Sequence, residues 1–352
     1  MFAAPFVALV LASAAFAGPM KRDATLSVEL SGPSDASSVG DLKFSATVKN
    51  SGTEAVKILK YGTVLDSLPT RSFKVTKDGE EVAFTGIKPF IDLEVAGESA
   101  FTVIPAGESV TVDHDVSAIF DFATAGAGNF KFEPLTEFQY ARSEEVEALV
   151  EEAVPEVSSN ALEISLGQAE KLELIDSRAV NQCTGSQGTF VSSAYSEGKQ
   201  MATAAANYIG SNGANSLFTS YFKTNSASTI RSVFTSVAGE NSSSRVLGCT
   251  DPARACSGGV IAYTIISNTN IYFCSIFFQE VAQNALCTGQ TTVAARNIRG
   301  ATVLHELTHA LSGTDDVTYG CSADRALSAS QQRINADNYN CFASQVWLDA
   351  QC

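Results

Sequence analysis

The sequence predicts an α+β protein in two parts: a strand-rich, antiparallel, sandwich-like first part, then a mainly helical part with one small antiparallel hairpin. Three observations predict this. Gly18 to Arg178 holds 28 acidic and 14 basic residues and no cysteine, whereas Ala179 onward holds 10 and 9 and all eight cysteines. Short runs of alternating apolar and polar residues fill the first part, the period of half-buried strands. Longer runs with apolar residues at helical spacing fill the second.

The chain has 352 residues, 45% of them hydrophobic, enough for two domains with separate cores. Met1 to Ala17 reads as a secretory signal: an apolar run from Phe6 to Phe16 ends in Ala15-Phe16-Ala17 before Gly18-Pro19. The run is shorter than the roughly 20 residues a spanning helix needs, and no later stretch reaches that length, so no membrane partner is expected. Strands are predicted at Leu26–Leu30, Leu42–Val48, Phe101–Ile104, Val110–Val116 and Phe130–Phe132. Phe73-Lys74-Val75 and Val82-Ala83-Phe84 face each other across the turn residues Asp78-Gly79. His114, between Asp113 and Asp115, reads as an exposed strand residue. Glu144 to Glu152 reads as a short acidic helix with a solvated face, broken at Pro155, and the polar segment on to Arg178 as a linker. The expected organisation is therefore a signal at 1–17, a first part at 18–178 and a second at 179–352.

In the second part, helices are expected over Ala194–Ile209 and in two pieces between Leu217 and Val237. Gly259–Ile266 and Ile271–Phe278 are β-branched and aromatic around Ser-Asn-Thr-Asn, the pattern of a hairpin. Cys183, Cys249, Cys256, Cys274, Cys287, Cys321, Cys341 and Cys352 are even in number behind a leader and hold no CxxC pair, which predicts disulfides in an oxidising, extracellular setting. A net charge of −15 excludes nucleic acid as a partner, since no basic surplus faces phosphates. Asn241-Ser242-Ser243 is a glycosylation sequon. The protein is expected to act as a monomer.

Two of the three histidines stand in His305-Glu306-Leu307-Thr308-His309. Residues four apart share a helix face, so both imidazoles can reach one Zn²⁺, while Glu306 can hold and deprotonate a water beside it. A catalytic zinc takes three protein ligands and keeps one open position. Gly313 can end the helix in the left-handed conformation, after which Asp315 or Asp316 falls within reach.

His-Glu-x-x-His followed by Gly313-Thr314-x-Asp316-x-x-Tyr319-Gly320 resembles the signature of the deuterolysin-like aspzincins, the M35 family of zinc endopeptidases. The resemblance makes Asp316 the third ligand and Tyr319 the hydroxyl that stabilises the oxyanion. It implies a zincin-type catalytic part holding one zinc, protein or peptide substrates, and a long propeptide that keeps the precursor latent. By analogy with family bridges, Cys183 would pair with Cys249 and Cys256 with Cys274. Of the rest, Cys287 with Cys352 and Cys321 with Cys341 are the expected pairs, the last a departure from a three-bridge pattern. One branch of the family cleaves before lysine, and Asn335–Asn340 resembles it with Asp337 as the substrate-binding carboxylate, although Asn340 replaces a second acidic residue. A broad endopeptidase with a taste for basic or polar substrates is the main reading, and a strictly lysine-specific one the alternative. An inactive zinc-fold binding protein, or a first part kept as a permanent adhesion module, are readings from other classes. With −14 facing about −1, the two parts are expected to dock by apolar contact rather than charge.

Overall fold

The strands run, in chain order, as β1 (Leu26–Ser31), β2 (Asp35–Ser38), β3 (Lys43–Asn50), β4 (Val56–Leu59), β5 (Phe73–Lys77), β6 (Glu80–Glu81), β7 (Ile87–Ile91) and β8 (Phe101–Ile104). There follow β9 (Ser109–Asp115), β10 (Gly128–Pro134), β11 (Tyr140–Ala141), β12 (Val157–Ser159), β13 (Leu162–Gln168), β14 (Leu247–Gly248), β15 (Val260–Ile265) and β16 (Asn270–Phe273). They belong to a computed structural model that describes residues 26–141, 157–172 and 183–352. The expected signal, the acidic helix and Arg178 lie outside the described residues.

The molecule is mixed α and β. In the first part, β12-β1-β3-β9 form one sheet and β2-β13-β10-β5-β6 another, with β11-β4-β8 as a smaller third. The alternation read from sequence sets the burial: Leu26, Val28 and Leu30 of β1 point inward, as do Phe44, Ala46 and Val48 of β3. Phe44 meets Phe73 and Phe132 at 5.1 Å between ring centres, joining the two larger sheets in one core. Two expectations are corrected. The presumed linker carries β12 and β13, and β13 pairs with both β10 and β2, its Ile164 and Leu166 buried. His114 is half-buried, its ring 4.8 Å from that of Phe73 and its Nε2 3.0 Å from the Val64 carbonyl oxygen.

The second part is mostly helical. Its long helix, Gly185–Asn212, packs on the helix Arg299–Ser312 and on Ala227–Ala238. The first crossing is tight: a Cβ on Gly198 would lie 2.7 Å from the carbonyl oxygen of Gly300, so only glycine permits this approach. Arg299 and Glu197 pair beside the crossing at 2.5 Å. Helix Ala336–Gln351 closes the other flank. Disulfides join Cys183 to Cys249, Cys256 to Cys274, Cys287 to Cys352 and Cys321 to Cys341.

The hairpin is β15–β16, but its sheet holds four strands in the order β14-β16-β15-β7. The outer strand, β7, comes from the first part. It pairs antiparallel with β15, Ile87 opposite Ile265, Lys88 opposite Thr264, Pro89 opposite Tyr263 and Phe90 opposite Ala262. Ile87, Phe90, Ile91, Tyr61 and Phe101 thereby join the core of the second part.

Candidate metal centre and the strand laid across it

Arg299–Ser312 is a helix because Ala301, Val303, Leu304 and Leu307 bury against its neighbours. Gly313 ends it in the left-handed region (φ 65°, ψ 27°), its N–H donating to the His309 carbonyl. That turn folds the chain back over the last helical turn. His305 Nε2 and His309 Nε2 lie 3.1 Å apart, and Asp316 Oδ1 lies 3.0 and 3.2 Å from them.

These separations fit the edges of a tetrahedron with bonds of about 2.0–2.1 Å, which measure about 3.3 Å. Both histidines are buried, and Asp316 nearly so. Burial lowers the His305 pKa, so its neutral, ligating form is favoured. Burial pushes the Asp316 carboxyl up, but His309 and His305 outweigh it and hold it below the usual range. Glu306 Oε1, Asp316 Oδ2 and His305 Nδ1 are buried without a hydrogen-bond partner. Two imidazoles and two carboxylates gathered this way, with atoms left unmatched, fit a bound divalent cation far better than an empty packed core. A second cluster, Cys321, Asp324 and Cys341, is no rival, because its two sulfurs are bonded to each other.

The supports are local. His309 Nδ1 sits 2.8 Å from the Thr314 carbonyl oxygen, which fixes that nitrogen as the N–H and leaves Nε2 to face the centre. Thr264 of β15 donates to Glu306 Oε2 at 2.6 Å, holding the carboxylate while Oε1 stays free. Burial raises the Glu306 pKa well above its ordinary value. The return loop is pinned from the N-terminal end of helix Ala336–Gln351. Asn335 Oδ1 accepts from the Val317 and Thr318 N–H groups, and Asp337 Oδ2 accepts from the Gly320 N–H at 2.6 Å. Asp337 is fully buried, and Arg296 donates to it from Nε and Nη2 at 3.1 and 2.9 Å. The same guanidinium lies 5.6 Å from the ring centre of Tyr319. A lysine side chain seeking Asp337 therefore meets a carboxylate that already holds an arginine.

The sequence reading missed Thr264, Arg296, Asn335 and β7. Thr264 could have been noticed as the polar residue inside Val260–Ile266; Arg296 and Asn335 carry no motif. Strand β7 crosses the mouth of the centre. Phe90 lies 4.3 Å from the His305 ring and 4.6 Å from the Arg296 guanidinium, and the Tyr319 hydroxyl donates to the Pro89 carbonyl at 2.7 Å. Lys88 Nζ lies 2.7 Å from Asp315 Oδ1 and donates to the Thr314 carbonyl at 2.5 Å, and Arg71 approaches Asp315 Oδ2 at 3.4 Å. The two parts thus meet through charge as well as apolar contact. Net charge could not reveal this, because these pairs are local.

A helix bearing two histidines and a glutamate, closed by an aspartate from its capping loop, defines a metallopeptidase-type centre. The sequence pattern of the Deuterolysin metalloprotease (M35) family matches residues 2–352, and the chain belongs to that family. It is a metalloendopeptidase. A Neutral protease 2 homolog of Phaeosphaeria nodorum is 33% identical, with 97% of this chain and 96% of that protein covered. Penicillolysin of Penicillium citrinum is 30% identical over 97% of each chain. Among solved structures, a zinc peptidase from Grifola frondosa aligns with 46% of this chain and 97% of its own at 20% identity and a TM-score of 0.39. No helix among the described residues is long and apolar enough to cross a membrane.

Proposed function

We propose that this chain is the precursor of a secreted zinc endopeptidase whose strand-rich, sandwich-like first part, residues 18–178, is a propeptide that holds the catalytic part, residues 179–352, latent. His305, His309 and Asp316 would hold one zinc. When bound, the zinc supplies Lewis acidity to the scissile carbonyl and eases deprotonation of the attacking water. Glu306, kept in place by Thr264, accepts that proton through its free Oε1 and returns it to the leaving amine. The Tyr319 hydroxyl donates to the oxygen that gains charge, a contact worth most in the transition state.

The observation that carries the reading is the pairing of β7 along β15, with Phe90 against His305 and Pro89 bonded to Tyr319. A peptide substrate would extend the same strand edge by the same backbone bonds. Secretion rests on the leader read at 1–17. A broad endopeptidase is favoured over a strictly lysine-specific one, because Asp337 is held by Arg296.

The test compares the intact chain with the chain cut between its two parts, each given a denatured protein mixture with and without a chelator. Cleavage only by the cut, metal-loaded chain is expected. Equal activity of the uncut chain would remove the latency reading, and activity indifferent to chelation would remove the metal mechanism.

A further inference from the structure

We propose that Asp315 is a specificity-determining residue, the acceptor for a basic side chain at the second residue before the cleaved bond of a substrate. The inference rests on the proposed latency, in which β7 leaves the cleft on activation.

The register is set at two points. Tyr319 donates to the Pro89 carbonyl, and Phe90 lies on His305. Pro89–Phe90 is therefore the peptide bond nearest to the groups that would act on a substrate. Side chains of a strand alternate, so Lys88 and Phe90 project to the same side. Phe90 reaches the histidine helix, and Lys88 reaches the capping loop, where its ammonium meets Asp315 Oδ1 and the Thr314 carbonyl. Lys88 is only 8% exposed, so this contact is an enclosed one rather than a loose surface pair.

Asp315 keeps its place when the strand leaves. Its N–H donates to the Ile334 carbonyl at 2.6 Å and its carbonyl accepts from the Ala336 N–H at 2.9 Å, both within the second part. Among the described residues its ion-pair partners are Lys88 and Arg71, both from the first part. Removal of that part therefore leaves a carboxylate on a backbone-anchored loop at the cleft with both cations gone. It stands one residue from Asp316, yet its side chain takes no part in the histidine cluster. A substrate lysine or arginine at the Lys88 position would restore the ion pair.

The test uses the full chain expressed as Glu306→Gln, cut between its parts, loaded with zinc and freed of the first part. Three peptides differ only in Lys, Gln or Glu at the second residue before an Ala-Phe bond, and their Kd values are measured by calorimetry. The Lys peptide should bind on the order of tenfold more tightly than the Gln peptide, as expected for a hydrogen bond to a charged partner in an enclosed site. Glu should bind worst. Asp315→Asn in the same background should collapse the Lys-to-Gln ratio toward one, and Asp315→Lys should invert the order to favour Glu, with zinc content measured on every sample. A ratio near one in the parent, or a ratio unchanged by Asp315→Asn, would overturn the proposal and leave Asp315 as a latency contact only. Absence of hydrolysis by the cut, zinc-loaded wild-type chain would count against the peptidase mechanism, whereas the Kd ratio measured in the Glu306→Gln background decides this assignment by itself.

Discussion

The hydroxyl of Tyr319 donates to the carbonyl oxygen of Pro89, a residue 230 positions earlier in the chain, at 2.7 Å. A phenol read from the sequence as an oxyanion donor is thus already bonded to a carbonyl of the chain's own first part. Burial also raises the Tyr319 pKa well above its ordinary value, so the group is held as a donor. On the proposed reading, substrate reaches Tyr319 only once β7 has left.

Glu306→Gln should keep zinc and fold while losing most turnover, because Gln retains the shape and cannot accept the proton. Loss of a general base lowers kcat by about 10²–10⁴. Turnover and bound zinc are measured on one sample, and near-normal kcat with full zinc would remove Glu306 from the role.

Asp316→Ala and Asp315→Ala remove the same charge from adjacent positions. Only Asp316 stands 3.0 and 3.2 Å from the histidine nitrogens, so only its loss should weaken zinc retention during dialysis. Asp315→Ala should keep the metal. The reverse pattern would mean that the capping loop delivers the other carboxylate.

Much of this candidate centre was legible because its residues are local. Two histidines four apart on a helix, a glycine that reverses the chain and the adjacent Asp315 and Asp316 form one continuous segment, so spacing brings them near one another, while the choice of Asp316 over Asp315 came from the family resemblance. The supports are not local. Thr264, Arg296 and Asn335 reach the centre from a strand, a loop and a helix cap, and their roles depend on tertiary packing. Strand β7 was hidden for another reason. Ile87-Lys88-Pro89-Phe90-Ile91 does not alternate and contains a proline, features that demote a strand reading, yet an edge position tolerates both. The presumed linker misled because an acidic run precedes β13, although Leu162-Glu163-Ile164-Ser165-Leu166 alternates cleanly.

Arg296→Gln should destabilise the second part strongly. Its guanidinium balances the fully buried Asp337, and removing one partner of a buried pair costs about 3–5 kcal/mol. Asp337 also holds the Gly320 N–H beside Tyr319, so turnover should fall as well. Urea unfolding and kcat are the readouts. A cost below about 1 kcal/mol would show that Asp337 is satisfied without Arg296.

Lys88→Gln and Arg71→Gln should each loosen the latent state, and together they should do so more than additively, since both cations converge on Asp315. Their side chains are only partly exposed, so added salt should weaken docking less than the double substitution does. Residual activity of the uncut chain is followed with salt. Tight latency in the double variant would return the whole of docking to apolar contact.

Glu280 provides a pH test at a distance from the ligands. It accepts from Thr302 of the histidine helix at 2.7 Å, and its other oxygen is buried without a partner. Burial pushes its pKa up to about 8, with Asp92 adding to the rise and Thr302 and Arg296 opposing it. The unfolded chain titrates near 4.3. A carboxyl whose folded pKa is raised binds protons more tightly in the native state, so its contribution to stability is complete below the unfolded value and is lost as pH climbs through about 8. Wild type should therefore lose Tm relative to Glu280→Gln as pH rises from about 4 to 8. Gln can keep the bond from Thr302 through its carbonyl oxygen and carries no charge to bury. The two proteins are melted across that range at constant ionic strength. A difference that does not grow with pH would mean that Glu280 is ionised in the fold at every pH tested, with its charge met by Arg296.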